Sequence, residues 1–113
     1  MLSQKNRLKK KKDFNLTFKK GKTFKNELIK VKVKKNKKKE KKVGFVAPIK
    51  KFKKATDRNR IKRLLREAFK EFLNDIPEGI YIIFIARSKI KDKDLVVIKK
   101  KMKDILIKSN LIE

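Results

Sequence analysis

Four arginines that could hold phosphate groups lie close together in the middle of the chain. Arg58, Arg60, Arg63 and Arg66 are four of only six arginines in a sequence whose basic residues are mostly lysine. A guanidinium is a planar fork that can bond two phosphate oxygens at once, whereas an ammonium is a compact point charge. Clustered arginines in so lysine-rich a chain predict a geometric requirement, with chance clustering as the simpler alternative.

These arginines lie on the clearest predicted helix, which runs from Thr56 to about Asn74. Its apolar residues recur at the spacing of one buried stripe: Ile61, Leu64, Leu65, Ala68, Phe69 and Phe72. At 100° per residue, a polar arc lies directly beside this stripe and consists of Asn59, Lys62, Arg63 and Arg66. Arg58 falls at the edge of the apolar stripe. Arg60 lies on the side of the helix that faces away from the stripe. The pattern predicts one face that packs on the protein and an adjacent face that binds phosphates, unless that face is simply solvated.

Two aromatic residues near the N-terminus could stack on unpaired bases. Phe14 and Phe18 lie four residues apart, although residues of this kind more often belong to a core. Their segment can be a helix, with Asp13 as its N-cap and Gly21 as its stop. It can equally be a strand, because Phe14, Leu16 and Phe18 alternate with polar residues. The residues by themselves leave both structures open.

The composition argues against catalysis by this chain alone. The sequence contains no Cys and no His, which removes thiol nucleophiles, imidazole bases and the usual zinc ligands. The 12 acidic residues lie mostly at predicted helix ends or among lysines, rather than in a cluster that could hold two Mg²⁺ ions. We therefore expect no catalytic residue and no metal site, and any cleavage that the chain supports should use reactive groups of another molecule.

The net charge of +26 on 113 residues points to a polyanionic partner. A compact body this basic repels itself unless a polyanion neutralises it. The polyanions that such charge indicates are nucleic acid and an anionic membrane surface. The longest apolar run, from Ile80 to Ala86, is too short to span a bilayer, and the basic N-terminus has no apolar signal segment. We expect a cytoplasmic protein with no small-molecule substrate. Nucleic acid is the expected partner and a membrane is not, because the apolar stripe of the predicted central helix is better used against the sheet.

The length predicts a single domain over residues 1–113, and we expect this domain to bind RNA. Residues 1–12 are expected to form a flexible basic tail. Apolar residues alternate with lysines from Ile29 to Val33, which predicts a half-buried strand. The lysine-rich residues 34–42 are expected to be a mobile hairpin loop that leads into a second strand over residues 43–47.

The C-terminal part of the sequence predicts a strand and a helix. The continuous apolar run at residues 80–86 is typical of a central strand that is covered on both faces. A last helix should begin at Asp92 or Asp94, and the preceding central helix at Thr56 or Asp57. The predicted order of elements is therefore α-β-β-α-β-α, in which the first segment can be either a helix or a strand.

The residues from Arg58 to Glu67 read R-N-R-I-K-R-L-L-R-E. This block resembles the R-N-R-x-K-R-x-x-R-E motif on the central helix of the protein subunit of bacterial ribonuclease P. Weaker similarities follow in the family's order along almost the whole chain: Arg7-Leu8, Asp13-Phe14, Phe18-Lys19-Lys20-Gly21, Val43-Gly44-Phe45-Val46, Lys50-Lys51, and Ile82-Ile83-Phe84-Ile85-Ala86-Arg87.

The resemblance implies a fold that the residues alone do not predict. It is an α/β (α+β) two-layer sandwich like the second domain of ribosomal protein S5, with the order α-β-β-α-β-α. Its βαβ crossover would be left-handed, against the usual right-handed rule. The resemblance also favours a helix for the segment that contains Phe14 and Phe18.

The function implied by the resemblance is that of a subunit of ribonuclease P, an endoribonuclease that removes the 5′ leader of precursor tRNA. The catalytic groups, and most contacts to the required Mg²⁺, would belong to the catalytic RNA (P RNA). The residues implied to bind RNA are Arg58, Asn59, Arg60, Lys62, Arg63, Arg66, Lys50 and Lys51. The leader would lie in a cleft between the R-N-R helix and the sheet, lined by Phe14, Phe18, Lys30 and Lys32. The alternative is a structural protein of the ribosome that binds rRNA, which would explain the charge but not the R-N-R block.

Three positions depart from the family pattern. Lys32 stands where many members have an aromatic residue, so a phosphate contact is expected in place of stacking. The turn over residues 48–55 is one residue longer than usual and has Lys53 where glycine is common. Thr56 replaces a usual valine, a change that the start of a helix tolerates.

Overall fold

The computed structural model describes residues 4–113, in which a four-stranded sheet carries helices on both faces. The α-helices and strands, in chain order, are α1 (Lys11–Lys20), β1 (Lys22–Lys25), β2 (Ile29–Lys35), β3 (Lys41–Val46), α2 (Ala55–Phe69), β4 (Ile80–Ala86) and α3 (Leu95–Lys108). Short 3-10 turns lie at Gln4–Asn6, Lys70–Asp75 and Ser88–Ile90. The order α-β-β-β-α-β-α confirms the predicted α+β class and adds one strand.

The sheet has the strand order β1-β2-β4-β3. β1 and β4 are both antiparallel to β2, while β3 is parallel to β4. Because α2 joins β3 to β4, the predicted βαβ unit is present, and the left hand of its crossover stays a prediction. β3 lies at one edge of the sheet and β1 at the other.

The predicted hairpin loop over residues 34–42 is wrong, because β4 lies between β2 and β3. Both strands reach into the predicted loop, which leaves a connection of residues 36–40. Asn36 organises this connection: its amide donates to the carbonyl of Glu40 at 2.8 Å, and its side-chain oxygen accepts from the backbone of Lys38 and Glu40. The alternation of apolar residues with lysines predicted β2, but it did not indicate which strand pairs with β2. The mobility of the segment stays a prediction.

β4 is buried along its whole length, which confirms the predicted central strand. Ile80, Ile82, Phe84 and Ala86 belong to the main core together with residues of α2 and α3. Tyr81, Ile83 and Ile85 point to the opposite face, where they form a second cluster with Leu8 and the partly buried Phe14. Successive side chains of a strand point to opposite faces, so β4 contributes to a core on each face of the sheet. Because α1 covers the second face, it adds a third, partial layer to the predicted two-layer sandwich.

β1 is the strand that the sequence did not predict. It is four residues long, and its lysines and Thr23 are exposed. Phe24 alone among them is partly buried and packs against the main core. One apolar residue in four is too weak a pattern to indicate a strand, so pairing with β2 decides its structure.

The first helix exists, as the resemblance implied. It begins at Lys11, and its N-cap is Lys10, so Asp13 lies in the first turn and is not the predicted cap. A carboxylate in the first turn still interacts favourably with the helix dipole. Gly21 ends α1 in an extended backbone conformation, with φ −66° and ψ 150°. A Cβ at Gly21 would lie 2.5 Å from the carbonyl oxygen of Thr17, so close packing rather than a left-handed turn requires glycine here.

The predicted start of α2 is wrong, whereas one of the two predicted starts of α3 is confirmed. The N-cap of α2 is Lys54, so Thr56 and Asp57 lie inside the helix and do not cap it. Asp57 instead forms an ion pair with Lys91 at 3.7 Å. Asp94 is the N-cap of α3 and accepts a hydrogen bond from the backbone of Val97 at 3.0 Å, which confirms the second of the two predicted starts.

The predicted tail of residues 1–12 is largely part of the fold, and its first three residues lie outside the described ones. Leu8 is buried and donates its backbone N–H to the carbonyl of Val43 at 3.0 Å. Arg7 forms a parallel bridge with Val43, and the Asn6 amide donates to the carbonyl of Lys41. Leu8, an isolated apolar residue among basic ones, anchors the segment beside β3.

Candidate nucleic-acid interface

Basic side chains from three segments meet at the edge of the sheet formed by β3. Lys62 and Arg66 of α2 line a concavity with Arg7 and Lys9 of the N-terminal segment. A neighbouring concavity shares Phe45 and Lys62 with the first and is also lined by Lys50, Lys51 and Arg58. We call this region the β3-edge surface; its basic residues are Arg7, Lys9, Lys50, Lys51, Arg58, Lys62 and Arg66.

The structure thus brings together five of the eight predicted RNA-binding residues: Lys50, Lys51, Arg58, Lys62 and Arg66. Asn59 and Arg63 are exposed on α2, as expected for residues of the polar arc. Arg60 donates instead to the carbonyl of Lys91, on the connection between β4 and α3. The helical wheel had placed Arg60 outside the polar arc, which agrees with this contact. RNA contact by all eight residues stays a prediction.

Arg7 and Lys9 are members of this surface that the sequence analysis missed. Their charges were assigned to a loose tail, because a basic run by itself usually signals solvated chain. The buried Leu8 between them was the available signal. Its position beside Val43 carries both neighbouring basic residues to the β3 edge.

A second candidate site lies on the face of the sheet covered by α1. The rings of Phe14 and Phe18 lie 6.4 Å apart at an interplanar angle of 16°. The Lys32 ammonium lies 5.1 Å from the centre of the Phe18 ring, which is a cation–π distance. Lys30 lies two residues earlier on β2 and therefore on the same face. We call these four residues the α1-face cleft.

The location predicted for this cleft was wrong. It was expected between the R-N-R helix and the sheet, but Ile61 and Leu65 of α2 are buried in the main core, which closes that interface. Lys30 and Lys32 alternate with the core residues Ile29 and Val31, so they face away from α2. Of the residues named for the cleft, Phe18 lies close to Phe14 and Lys32 on the opposite face of the sheet, and Lys30 lies on that same face.

Gly44 links the two sites through close packing. It lies in β3, and a Cβ there would come within 3.1 Å of the Phe14 ring. Phe14 is half-buried over this position, while Phe18 keeps 42% of its surface exposed. The cleft therefore has one anchored aromatic ring and one ring available to a ligand.

The unpredicted strand β1 adds positive charge beside the cleft. Lys25 of β1 lies directly opposite Lys30 of β2. Like charges in facing positions of neighbouring strands repel each other. A bound anion would relieve this repulsion, so the pair strengthens the attraction of this face for phosphate.

A tyrosine–carboxylate pair lies at the other end of the same sheet face. The Tyr81 hydroxyl donates to Glu40 at 2.9 Å, and Glu40 also forms an ion pair with Lys42 at 3.2 Å. Burial and the bond to Glu40 raise the pKa of Tyr81 to about 12. The bonds from Tyr81 and Lys42 lower the pKa of Glu40. Glu40 is thus held as a carboxylate, and the 41-residue separation gave no sequence signal for the pair.

The described residues, 4–113, contain no group of three or more acidic residues placed to hold a metal ion. No helix among them is long and apolar enough to cross a membrane.

The fold and the two sites define a small α+β protein that presents cationic and aromatic groups around an edge strand. The Ribonuclease P family model matches residues 2–110 of the chain. The ribonuclease P protein component of Clostridioides difficile is 36% identical over 105 residues, which cover 92% of this chain and 91% of that protein. That of Thermotoga maritima is 38% identical over 91 residues, 80% of this chain and 77% of that protein.

Solved structures agree with this match. The Staphylococcus aureus ribonuclease P protein has a TM-score of 0.84 and 31% identity, covering 96% of this chain and 98% of its own. The Thermotoga maritima protein has a TM-score of 0.78 and 35% identity, covering 90% and 96%. The chain belongs to the bacterial ribonuclease P protein family, whose members are components of an RNA-processing endoribonuclease.

Proposed function

We propose that the β3-edge surface and the outer side of α2 bind P RNA, while the α1-face cleft binds the 5′ leader of precursor tRNA. The observation that carries this proposal is the convergence of basic residues from three chain segments at one sheet edge. Each phosphate neutralised by such a residue releases condensed counterions, which favours binding. Arginines in this set can also make bidentate phosphate contacts.

The proposed role of the cleft is to recognise a single strand. An exposed aromatic ring can stack on any base, and stacking contributes about 1–3 kcal/mol per base. Phe18 offers such a ring, and Lys30 and Lys32 can contact the phosphates on either side of the stacked base. Since mature tRNA lacks the leader, these contacts would favour the precursor over the product.

The proposed chemistry is Mg²⁺-dependent hydrolysis by the RNA partner. The Mg²⁺ ions would be held mainly by RNA oxygens, and this chain would raise substrate affinity without supplying a reacting group. A cytoplasmic setting follows from the same proposal, because it requires P RNA and newly made precursor tRNA.

The primary test adds the purified protein to a bacterial P RNA and precursor tRNA at low Mg²⁺. Enhanced production of the mature 5′ end is expected, and the proposal fails if the protein gives no enhancement.

A variant test locates the RNA-binding surface. The double variant Lys62→Ala/Arg66→Ala should weaken P RNA binding and lower the salt slope by about one for each lost phosphate contact. Lys100→Ala/Lys103→Ala removes the same charge from exposed positions of α3 and is the matched control. Equal losses in both variants would reduce the effect to overall charge and contradict the proposed surface.

A further inference from the structure

We propose that Arg58 is a positioning residue, which holds the turn carrying Lys50 and Lys51 at a fixed distance from α2. This inference deepens the proposed function and rests on it, because it assigns to Arg58 a task other than direct phosphate contact. It concerns residues 48–58, where the turn leads into the R-N-R block.

The Lys50–Lys51 turn is built on the carbonyl of Pro48. This oxygen accepts the backbone N–H groups of Lys51 at 3.1 Å and of Phe52 at 3.0 Å. Phe52 is buried in the main core, whereas Lys50 and Lys51 are exposed. The turn is therefore anchored on its C-terminal side and presents its two lysines outward.

Arg58 closes this turn onto the helix. Its Nη1 donates to the carbonyl oxygens of Phe52 and Lys53, both at 2.8 Å. Those two carbonyls belong to the segment that connects the turn to α2, while the Arg58 backbone bonds to Lys54 in the first helical turn. One side chain thus connects the end of the turn to the beginning of the helix.

The chemistry of this bridge requires an arginine. A guanidinium has five N–H donors in a fixed planar arrangement, and the two on Nη1 suffice for the two carbonyls. A lysine at this position would keep the positive charge, but its ammonium is a flexible point donor without the planar fork. The Arg58→Lys variant therefore separates charge from geometry.

The position of the turn matters because its lysines share a concavity with Lys62 of α2. Lys50 and Lys51 can contact the same RNA as α2 only if the turn keeps its distance from the helix. Loss of the carbonyl bonds frees the backbone just after the two lysines. Ordering this segment again upon binding costs conformational entropy.

The experiment is a double-mutant cycle on P RNA affinity at several salt concentrations. It combines Arg58→Lys with Lys50→Ala/Lys51→Ala. If Arg58 positions the turn, Arg58→Lys alone should lower the P RNA affinity several-fold, and it should lower the salt slope only where the phosphate contacts of Lys50 and Lys51 are lost. In the background that already lacks both lysines, the same change should have little further effect on affinity. Equal losses of affinity from Arg58→Lys in both backgrounds, or an unchanged affinity in the wild-type background, would overturn the inference.

Arg60→Lys is the matched control for the cycle. It makes the same charge-conserving change on the same helix and also removes a bond to a backbone carbonyl, but that carbonyl belongs to Lys91. Its effect should be the same with and without Lys50 and Lys51. Coupling of Arg60→Lys to the two lysines as strong as that of Arg58→Lys would also overturn the inference.

A measurement without RNA separates this inference from the proposed function. Amide hydrogen exchange at Lys51 and Phe52 should accelerate at least several-fold in the folded Arg58→Lys variant and stay unchanged in Arg60→Lys. Unchanged exchange in both variants overturns the positioning role, even if P RNA binding is intact. Faster exchange in Arg58→Lys supports it, even if the wild-type protein binds no P RNA and only the proposed function fails.

Discussion

The two faces of the sheet differ in how completely they are covered. On one face, the 15-residue α2 and the 14-residue α3 bury a continuous core. There the Phe84 ring lies 5.3 Å from Phe69 and 5.8 Å from Phe45. On the other face, the 10-residue α1 covers a small cluster around Ile83. The covered face stabilises the fold, and the partly covered face leaves aromatic and cationic side chains available for binding.

The largest effect should come from the covered face. Phe84→Ala removes a fully buried ring between two other aromatic rings and should lower the free energy of unfolding by about 3–5 kcal/mol. Urea unfolding followed by circular dichroism measures this change. A loss below about 1 kcal/mol would contradict the assignment of stability to this face.

On the partly covered face, Phe18→Ala should affect binding more than stability. Phe18 is 42% exposed, and its removal should reduce the preference for precursor over mature tRNA by about 1–3 kcal/mol, the contribution of one stacked base. Relative affinities of the two tRNAs for the reconstituted complex measure this preference.

Leu16→Ala is the control for Phe18→Ala. Leu16 lies on the same helix and is 38% exposed, but it is not part of the α1-face cleft. Its removal should leave the preference unchanged. The role of Phe18 is contradicted if Phe18→Ala lowers only the melting temperature.

Gly44→Ala should have a smaller effect, because the added methyl group meets a side chain rather than backbone. The Phe14 ring must shift away from a Cβ at 3.1 Å, at a cost of about 1 kcal/mol in stability. Phe14→Leu shortens the side chain, so the double variant should lose less than the sum of the two single variants. Additive losses would show that Gly44 and Phe14 do not interact.

An effect about as small as that of Gly44→Ala is expected at Tyr81. Tyr81→Phe removes the bond to Glu40 and should cost about 0.5–1.5 kcal/mol at neutral pH. The pKa of Tyr81 is raised from 10.0 to about 12, so the folded state favours the protonated phenol. Its contribution to stability is complete below pH 10 and is lost as the pH rises from 10 towards 12. The difference in alkaline unfolding between wild type and Tyr81→Phe isolates this contribution.

The same pair predicts an effect in acid. The lowered pKa of Glu40 means that its contribution is present above its ordinary value of 4.5 and is lost as the pH falls through the lowered pKa. Tyr81→Phe removes the largest cause of this lowering. If wild type and Tyr81→Phe have the same unfolding curve in acid and also in alkali, the proposed contribution of the Tyr81–Glu40 pair is contradicted.

Local patterns in the sequence were sufficient for several elements. The apolar run of β4, the stripe of α2 and the Asp94 cap concern residues close together in the chain, so periodicity and capping rules predict them. The same wheel separated Arg60 from the arc that contains Lys62 and Arg66. The R-N-R block indicated the family, and the match to the Ribonuclease P family model and to known ribonuclease P proteins confirms it.

Tertiary structure decided which elements became neighbours. Alternation predicts a strand without naming its partner, so β2 and β3 were wrongly joined as a hairpin and the short β1 was missed. It also decided that Phe14 and Phe18 lie on the face opposite α2, and that Leu8 brings Arg7 to the β3 edge. The sequence alone determined that the arginines occupy one region of one helix. Contacts between distant segments determined that Arg58 bonds to the Lys50–Lys51 turn and Arg60 to Lys91, because burial and pairing join residues whatever their separation along the chain.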